Sequence, residues 1–140
     1  PASVETVTAD SSFTLKDVTF TFPVRHVHPV ETYGVIFHLD KTVALITDTR
    51  FFEALPSHYR ADIVIVNVLR SKPIQERHVI DHLSVHDVAR IVKEIKPEFA
   101  VMTHFGRNII EEKPHLIARK LTRETGVKIL AARDGMVLPL

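Results

Sequence analysis

The 140-residue chain contains no cysteine and no tryptophan, and it has only four glycines and two tyrosines. Without cysteine it has neither a disulfide framework nor a thiolate metal site, so any metal must be held by imidazole and carboxylate. The absence also fits a cytoplasmic location. No apolar run approaches the roughly 18–20 residues needed to span a bilayer. The N-terminal residues "PASVETVTAD" lack the basic and apolar regions of a signal peptide. Charge of one sign is lacking too. The formal net charge is +1, which gives no support to a nucleic-acid or membrane partner. What remains is an ordinary globular composition, 45% hydrophobic and 25% charged, at about the length of one domain. Nine histidines are the abundant feature, and their positions carry most of the information.

Periodicity gives an α/β protein with a layered sheet. "FTLKDVTFTFPV" alternates apolar and polar residues from Val18 to Phe22, as a half-buried strand does. "YGVIFHLDKTVALITDT" reads as a hairpin turning at Leu39-Asp40-Lys41. A short helix or loop at "FFEALPSHY" precedes "ADIVIVNVL", a β-branched run suited to a strand covered on both faces. Ser84 and Asp87 form the start of a capping box. Val85, Val88, Ala89, Val92 and Ile95 then fall on one helical stripe that Pro97 ends. "EFAVMT" is the next strand. Pro114 suits the first turn of a helix closing near Gly126, with Ile117 and Leu121 on its apolar edge. "VKILAA" and "GMVLPL" read as a final hairpin about Arg133-Asp134-Gly135.

Four polar residues sit where strands end or a helix begins: His28, Asp48, His82 and His104. In layered α/β proteins the loops at strand ends converge on one sheet edge, where ligands bind. Each residue has a plain alternative. A lone histidine at a strand end is commonly just hydrogen-bonded, Asp48 is placed to cap the short helix after it, and His82 suits a solvated position. His38, His58, His78, His86 and His115 have weaker placements and are read as ordinary surface residues. His26, two residues from His28, is able to exchange roles with it.

Taken in order, these segments resemble the metallo-β-lactamase superfamily of metal-dependent hydrolases, near its ribonuclease Z and phosphodiesterase branches. "HPVETYG" resembles the family segment with a metal-binding histidine six residues before a glycine, here His28 and Gly34. "ITDT" resembles "GDT", with Thr47 for the glycine and Asp48 for the metal-bridging aspartate. "HLSVHDVA" resembles the "HST" segment, with His82, Ser84 and Ala89 in its places. "MTHFG" resembles "LTHFS", whose histidine, here His104, binds the second metal. His82 and His104 lie 22 residues apart, about as in that branch.

The resemblance implies half of an αββα sandwich, a mixed sheet with helices on one face. It also implies metal ligation by His28, Asp48 and His104, and a catalytic His82 that protonates or holds the leaving group. The cofactor implied is a pair of zinc ions in the complete domain, with manganese or iron as alternatives. The reaction implied is hydrolysis of a phosphodiester or related ester by water made nucleophilic between two metals. Gly34 and Gly106 would let backbone approach the site closely, and Thr103 and Ser84 are candidate orienting donors.

Two departures shape the expectation. The signature H-x-H-x-D-H is absent from these residues, so residues 1–140 are expected to form one unit, the C-terminal portion of such a domain, inactive alone. Its partner would be the missing N-terminal half or a second copy of the chain. Asn67 stands where ribonuclease Z has a glutamate, and no insertion suits a transfer-RNA-gripping arm, which argues against that substrate. The alternative is a non-catalytic, dimerising interaction module. Hydrolase chemistry requires His28, Asp48, His82 and His104 to converge; a binding module lets them scatter.

Overall fold

The computed structural model describes residues 4–72 and 81–138; His78 lies outside them. Seven strands form one sheet in the order of the chain. They are β1 (Ser11–Leu15), β2 (Val18–Phe22), β3 (Val35–His38), β4 (Thr42–Ile46), β5 (Ile63–Asn67), β6 (Phe99–Thr103) and β7 (Lys128–Ala131). The first three pairings are antiparallel and the last three parallel. The change occurs at β4 for a covalent reason. Tight turns can join only antiparallel neighbours, whereas parallel neighbours need a long crossover. From β4 onward the crossovers carry α1 (Leu55–His58), α2 (Val85–Ile95), and α3 (Arg107–Glu111) with α4 (Pro114–Thr125).

All the long crossovers cover the same face. One core cluster joins Leu55 of α1, Val88, Ile91 and Val92 of α2, and Ile117 and Leu121 of α4 to Ala44, Ile46, Val64, Val66, Ala100, Met102 and Ile129 of the sheet. Val64, Val66 and Met102 are fully buried, each side chain contributing about 1.5–3 kcal/mol of transfer free energy. The α2 stripe docks as its periodicity requires, with Ile91 added to the expected positions. Its start is the full capping box, Asp87 N donating to Ser84 Oγ and Ser84 N donating to Asp87 Oδ2.

The alternate residues of the same strands face away from the helices, and they too are apolar. Phe20, Phe37, Val43, Ile63 and Phe99 are cross-strand partners in one row. Val35, Leu45, Ile65, Val101 and Leu130 make a second. Phe13 extends the first row as the partner of Phe20, and Phe22 lies on the same face two residues along β2, each ring about 6 Å from that of Phe20. This is a sheet with two hydrophobic faces and helices on one of them.

Three expectations change. The alternating stretch Val18–Phe22 is a strand as expected, but a further strand, Ser11–Leu15, precedes it, because Lys16 turns the chain back in the left-handed region at φ 54°. Helix α3 lies between β6 and α4; its five residues are too few to show a period. The closing hairpin is absent among the described residues. After β7 the chain makes a turn closed by Met136 N donating to Arg133 O. Val137 beyond the turn is 88% exposed, and no further strand forms among the described residues.

Candidate metal centre

The C-terminal ends of the parallel strands gather the four polar residues. Asp48 lies two residues beyond β4, and His104 one residue beyond β6. His28 comes from the loop between β2 and β3. His82 arrives on the segment that enters α2, which runs beside the continuation of β5. There Leu69 N donates to Leu83 O, Val85 N donates to Arg70 O, and the Arg70 guanidinium donates to the His82 carbonyl at 2.6 Å.

His82, His104 and Asn67 converge on one carboxylate oxygen. Asp48 Oδ1 is 3.4 Å from His82 Nδ1 and 3.6 Å from His104 Nε2, and it accepts a 2.9 Å hydrogen bond from Asn67 Nδ2. The His28 and His82 rings meet edge to face at 5.4 Å, and those of His82 and His104 stack at 5.8 Å. His28, Asp48 and His82 each offer a ligand atom within 4.8 Å of the others. Two imidazoles and a carboxylate at that spacing fit a divalent cation of zinc type with an open position. His28 Nδ1 is engaged with Val30 and Thr32 of its own loop, which leaves Nε2 as the nitrogen for a ligand. Burial lowers the pKa of His82 from its ordinary value. The His28, His104 and Arg70 charges lower it as well, while the Asp48 carboxylate opposes them. Its neutral form, the one able to bind metal, is thereby favoured. Exposure is graded across the cluster: the His82 side chain is 10% exposed, Asp48 28% and His104 47%.

His26 does not share in this cluster. It is 3% exposed and turned into the core, its Nε2 2.6 Å from the Tyr59 hydroxyl. His28, not His26, therefore faces Asp48. Ser84, an expected orienting donor, spends its hydroxyl on Asp87 at the helix cap instead. Thr103 lines a cavity of about 340 Å³ together with His104 and Phe105.

Sequence reasoning missed two contributors. Asn67 fixes the Asp48 carboxylate, and as an amide it donates without adding a negative charge beside it. The signal was a lone polar residue ending an otherwise apolar strand. The other is Tyr59, whose partners lie 25 and 33 residues away, a separation that no local pattern exposes.

The glycines bring backbone close, though against neighbouring structure rather than the metal cluster. A Cβ on Gly34 would lie 2.5 Å from both the Leu45 carbonyl oxygen and the Tyr59 hydroxyl. On Gly106 it would lie 2.2 Å from the Leu69 carbonyl oxygen. His104 itself takes the left-handed conformation, φ 58°, where histidine is among the better-tolerated residues. This elbow turns the chain out of β6, and Gly106 then seats it against the strand that supports the His82 segment. Gly106→Ala is expected to cost about 1–3 kcal/mol, because a backbone oxygen cannot move aside as a side chain can. Urea unfolding measures this; an unchanged midpoint would show that the elbow is not pinned there.

Comparison with known proteins places this geometry. Residues 1–105 match the family described as "Beta-lactamase superfamily domain". The uncharacterized protein MJ1374 of Methanocaldococcus jannaschii is 25% identical over 126 residues, 86% of this chain and 46% of its own. Among solved structures, the metallo-beta-lactamase fold protein YhfI from Bacillus subtilis superposes with a TM-score of 0.77 at 21% identity, covering 94% of this chain and 52% of that one. A diphosphatase of the PhnP family gives 0.68 at 24%, covering 95% and 47%. The chain thus spans about half the length of the proteins it matches. With its sheet, its one-sided helices and three quarters of its length matching that family, the chain belongs to the β-lactamase superfamily.

Proposed function

We propose that this chain forms one half of a metal-dependent hydrolase domain acting on a phosphodiester or related ester. The observation that carries the reading is the meeting of His28, His82, His104 and Asn67 around Asp48. The diphosphatase activity named for the PhnP-family structure supports phosphorus chemistry as the first to test. When bound, a pair of divalent ions supplies Lewis acidity and a water of lowered pKa.

The protein's own side chains do the rest. Asp48, pinned by Asn67, presents its carboxylate between the histidines and is the natural shared ligand. His28 flanks it from the β2–β3 loop and His104 from the β6 elbow, and both would supply imidazole nitrogens to the ions. His82 stands against both of their rings, and as a neutral imidazole it would be able to ligate or to hold the leaving-group oxygen. The remaining ligands and the cover for the second apolar face would come from another polypeptide segment, the N-terminal half of such a domain, or from a second copy of this chain.

The apolar sheet face opposite the helices favours one further reading, a dimerising module without catalysis. Metal analysis and light scattering separate the two. The chain alone is expected to take up no more than one equivalent of zinc, weakly, and to show no turnover of bis(p-nitrophenyl) phosphate. Two tightly held equivalents with robust turnover would defeat the half-domain proposal. A stable dimer that binds no zinc would favour the module.

A further inference from the structure

Behind Asp48 lies a hydrogen-bonded chain that the hydrolase reading does not use. Gly34 N is 3.1 Å from the Tyr59 hydroxyl, which is 2.6 Å from His26 Nε2. On the other side of the ring, His26 Nδ1 is 3.3 Å from the Asp48 carbonyl oxygen and 3.2 Å from Thr47 Oγ1. Thr47 Oγ1 in turn donates to the Tyr33 carbonyl at 2.8 Å.

The direction of every bond in this chain is fixed by its two ends. A backbone N–H can only donate, so the Tyr59 oxygen accepts from Gly34. That oxygen keeps a second lone pair, so the other end decides: the Asp48 carbonyl at His26 Nδ1 can only accept, and Nε2 is therefore the nitrogen that accepts the Tyr59 proton. A neutral imidazole whose Nε2 accepts carries its proton on Nδ1. That proton faces two acceptors, the Asp48 carbonyl and the Thr47 hydroxyl oxygen. The latter is free to accept because its proton is committed to the Tyr33 carbonyl.

We propose that His26 is a positioning residue for Asp48, an imidazole protonated on Nδ1 that ties the Thr47–Asp48 backbone to Tyr59 and Gly34 and so fixes the aim of the metal-binding carboxylate. The inference rests on Asp48 being a metal ligand. Asn67 holds the carboxylate from the side chain, and His26 holds the same residue from its backbone. The close approach at Gly34 belongs to the device, since a Cβ there would meet the Tyr59 hydroxyl at 2.5 Å. Groups that orient a ligand are typically worth about 10–100-fold in metal affinity.

The test is zinc titration of the 140-residue chain in chelator competition, read beside long-range ¹H–¹⁵N correlation of the histidine rings. His26 is expected to show the neutral Nδ1-protonated tautomer. Tyr59→Phe is expected to weaken zinc binding by about 10-fold. Thr47→Val is expected to weaken it in the same direction, and Thr47→Ser, which keeps the hydroxyl, to restore it. Ile91→Val, a core change remote from the cluster, controls for lost stability and should leave the affinity unchanged. An Nε2-protonated His26 overturns the proposal, as does wild-type affinity in folded Tyr59→Phe and Thr47→Val. Asp48→Asn separates the two levels. If it abolishes zinc binding while Tyr59→Phe does not weaken it, only the positioning role is lost. If Asp48→Asn itself changes nothing, the metal reading fails and the positioning role fails with it.

Discussion

Asp48→Asn is expected to abolish the chain's zinc binding, a loss greater than the roughly 100-fold that orienting residues cost at most. The substitution is nearly isosteric. Its amide oxygen is still able to accept from Asn67 Nδ2, now 2.9 Å from Asp48 Oδ1, so local shape is kept and the negative charge alone is lost. That charge is what the three histidines surround. A His28→Ala change removes one nitrogen from one side of the cluster; Asp48→Asn removes the group common to all sides. Isothermal titration with zinc, with circular dichroism to confirm folding, measures the effect. Asparagine binding zinc as well as aspartate would mean that the convergence has no bearing on metal. In a complete domain the same change is expected to reduce turnover at least as steeply.

A second large effect concerns stability and pH. Burial lowers the pKa of His26 from 6.5 to about 4; hydrogen bonding to the Asp48 carbonyl and the nearby Asp48 carboxylate oppose this, and His28 adds to it. In the unfolded chain the imidazole titrates near 6.5. Between pH 6.5 and about 4 the unfolded state therefore binds a proton that the folded state refuses. Stability is full above 6.5 and falls as pH drops through that window, by about 3 kcal/mol at its lower end. His82, also lowered, adds a loss of the same sign, so the informative quantity is a difference. Urea unfolding at pH 7.5, 5.5 and 4.5 should show wild type losing about 2.5 kcal/mol more than His26→Gln by the lowest pH. Equal slopes would place the acid sensitivity elsewhere.

Much of this fold is legible in sequence, for reasons that differ by element. Strand β5 and helix α2 announce themselves because their packing is periodic: both faces of β5 are apolar, and α2 has one buried stripe. The β3–β4 hairpin is visible because its turn is polar and its arms are not. Strand β1 is hidden because its turn at Lys16-Asp17 lacks glycine and borrows the left-handed conformation for a lysine. The gathering of His28, Asp48, His82 and His104 could be read from their order along the chain, because strand ends in a layered sheet share an edge. What holds Asp48 in place could not. Asn67 and Tyr59 act across distances in sequence that only the folded sheet closes, and His26 looked interchangeable with His28 until burial separated them.

The order of the strands bears on how the protein is made. Because space repeats sequence from β1 to β7, each strand emerging from a ribosome finds its neighbour already synthesised, and none must wait for a later one. Domains form as units during synthesis, and transiently uncovered apolar surface is what makes their intermediates prone to aggregate. Here the helices arrive in step with the parallel strands and cover one face at once. The rows through Phe37 and Ile65 on the other face meet no helix among the described residues, so their shielding during synthesis depends on a segment outside these seven strands.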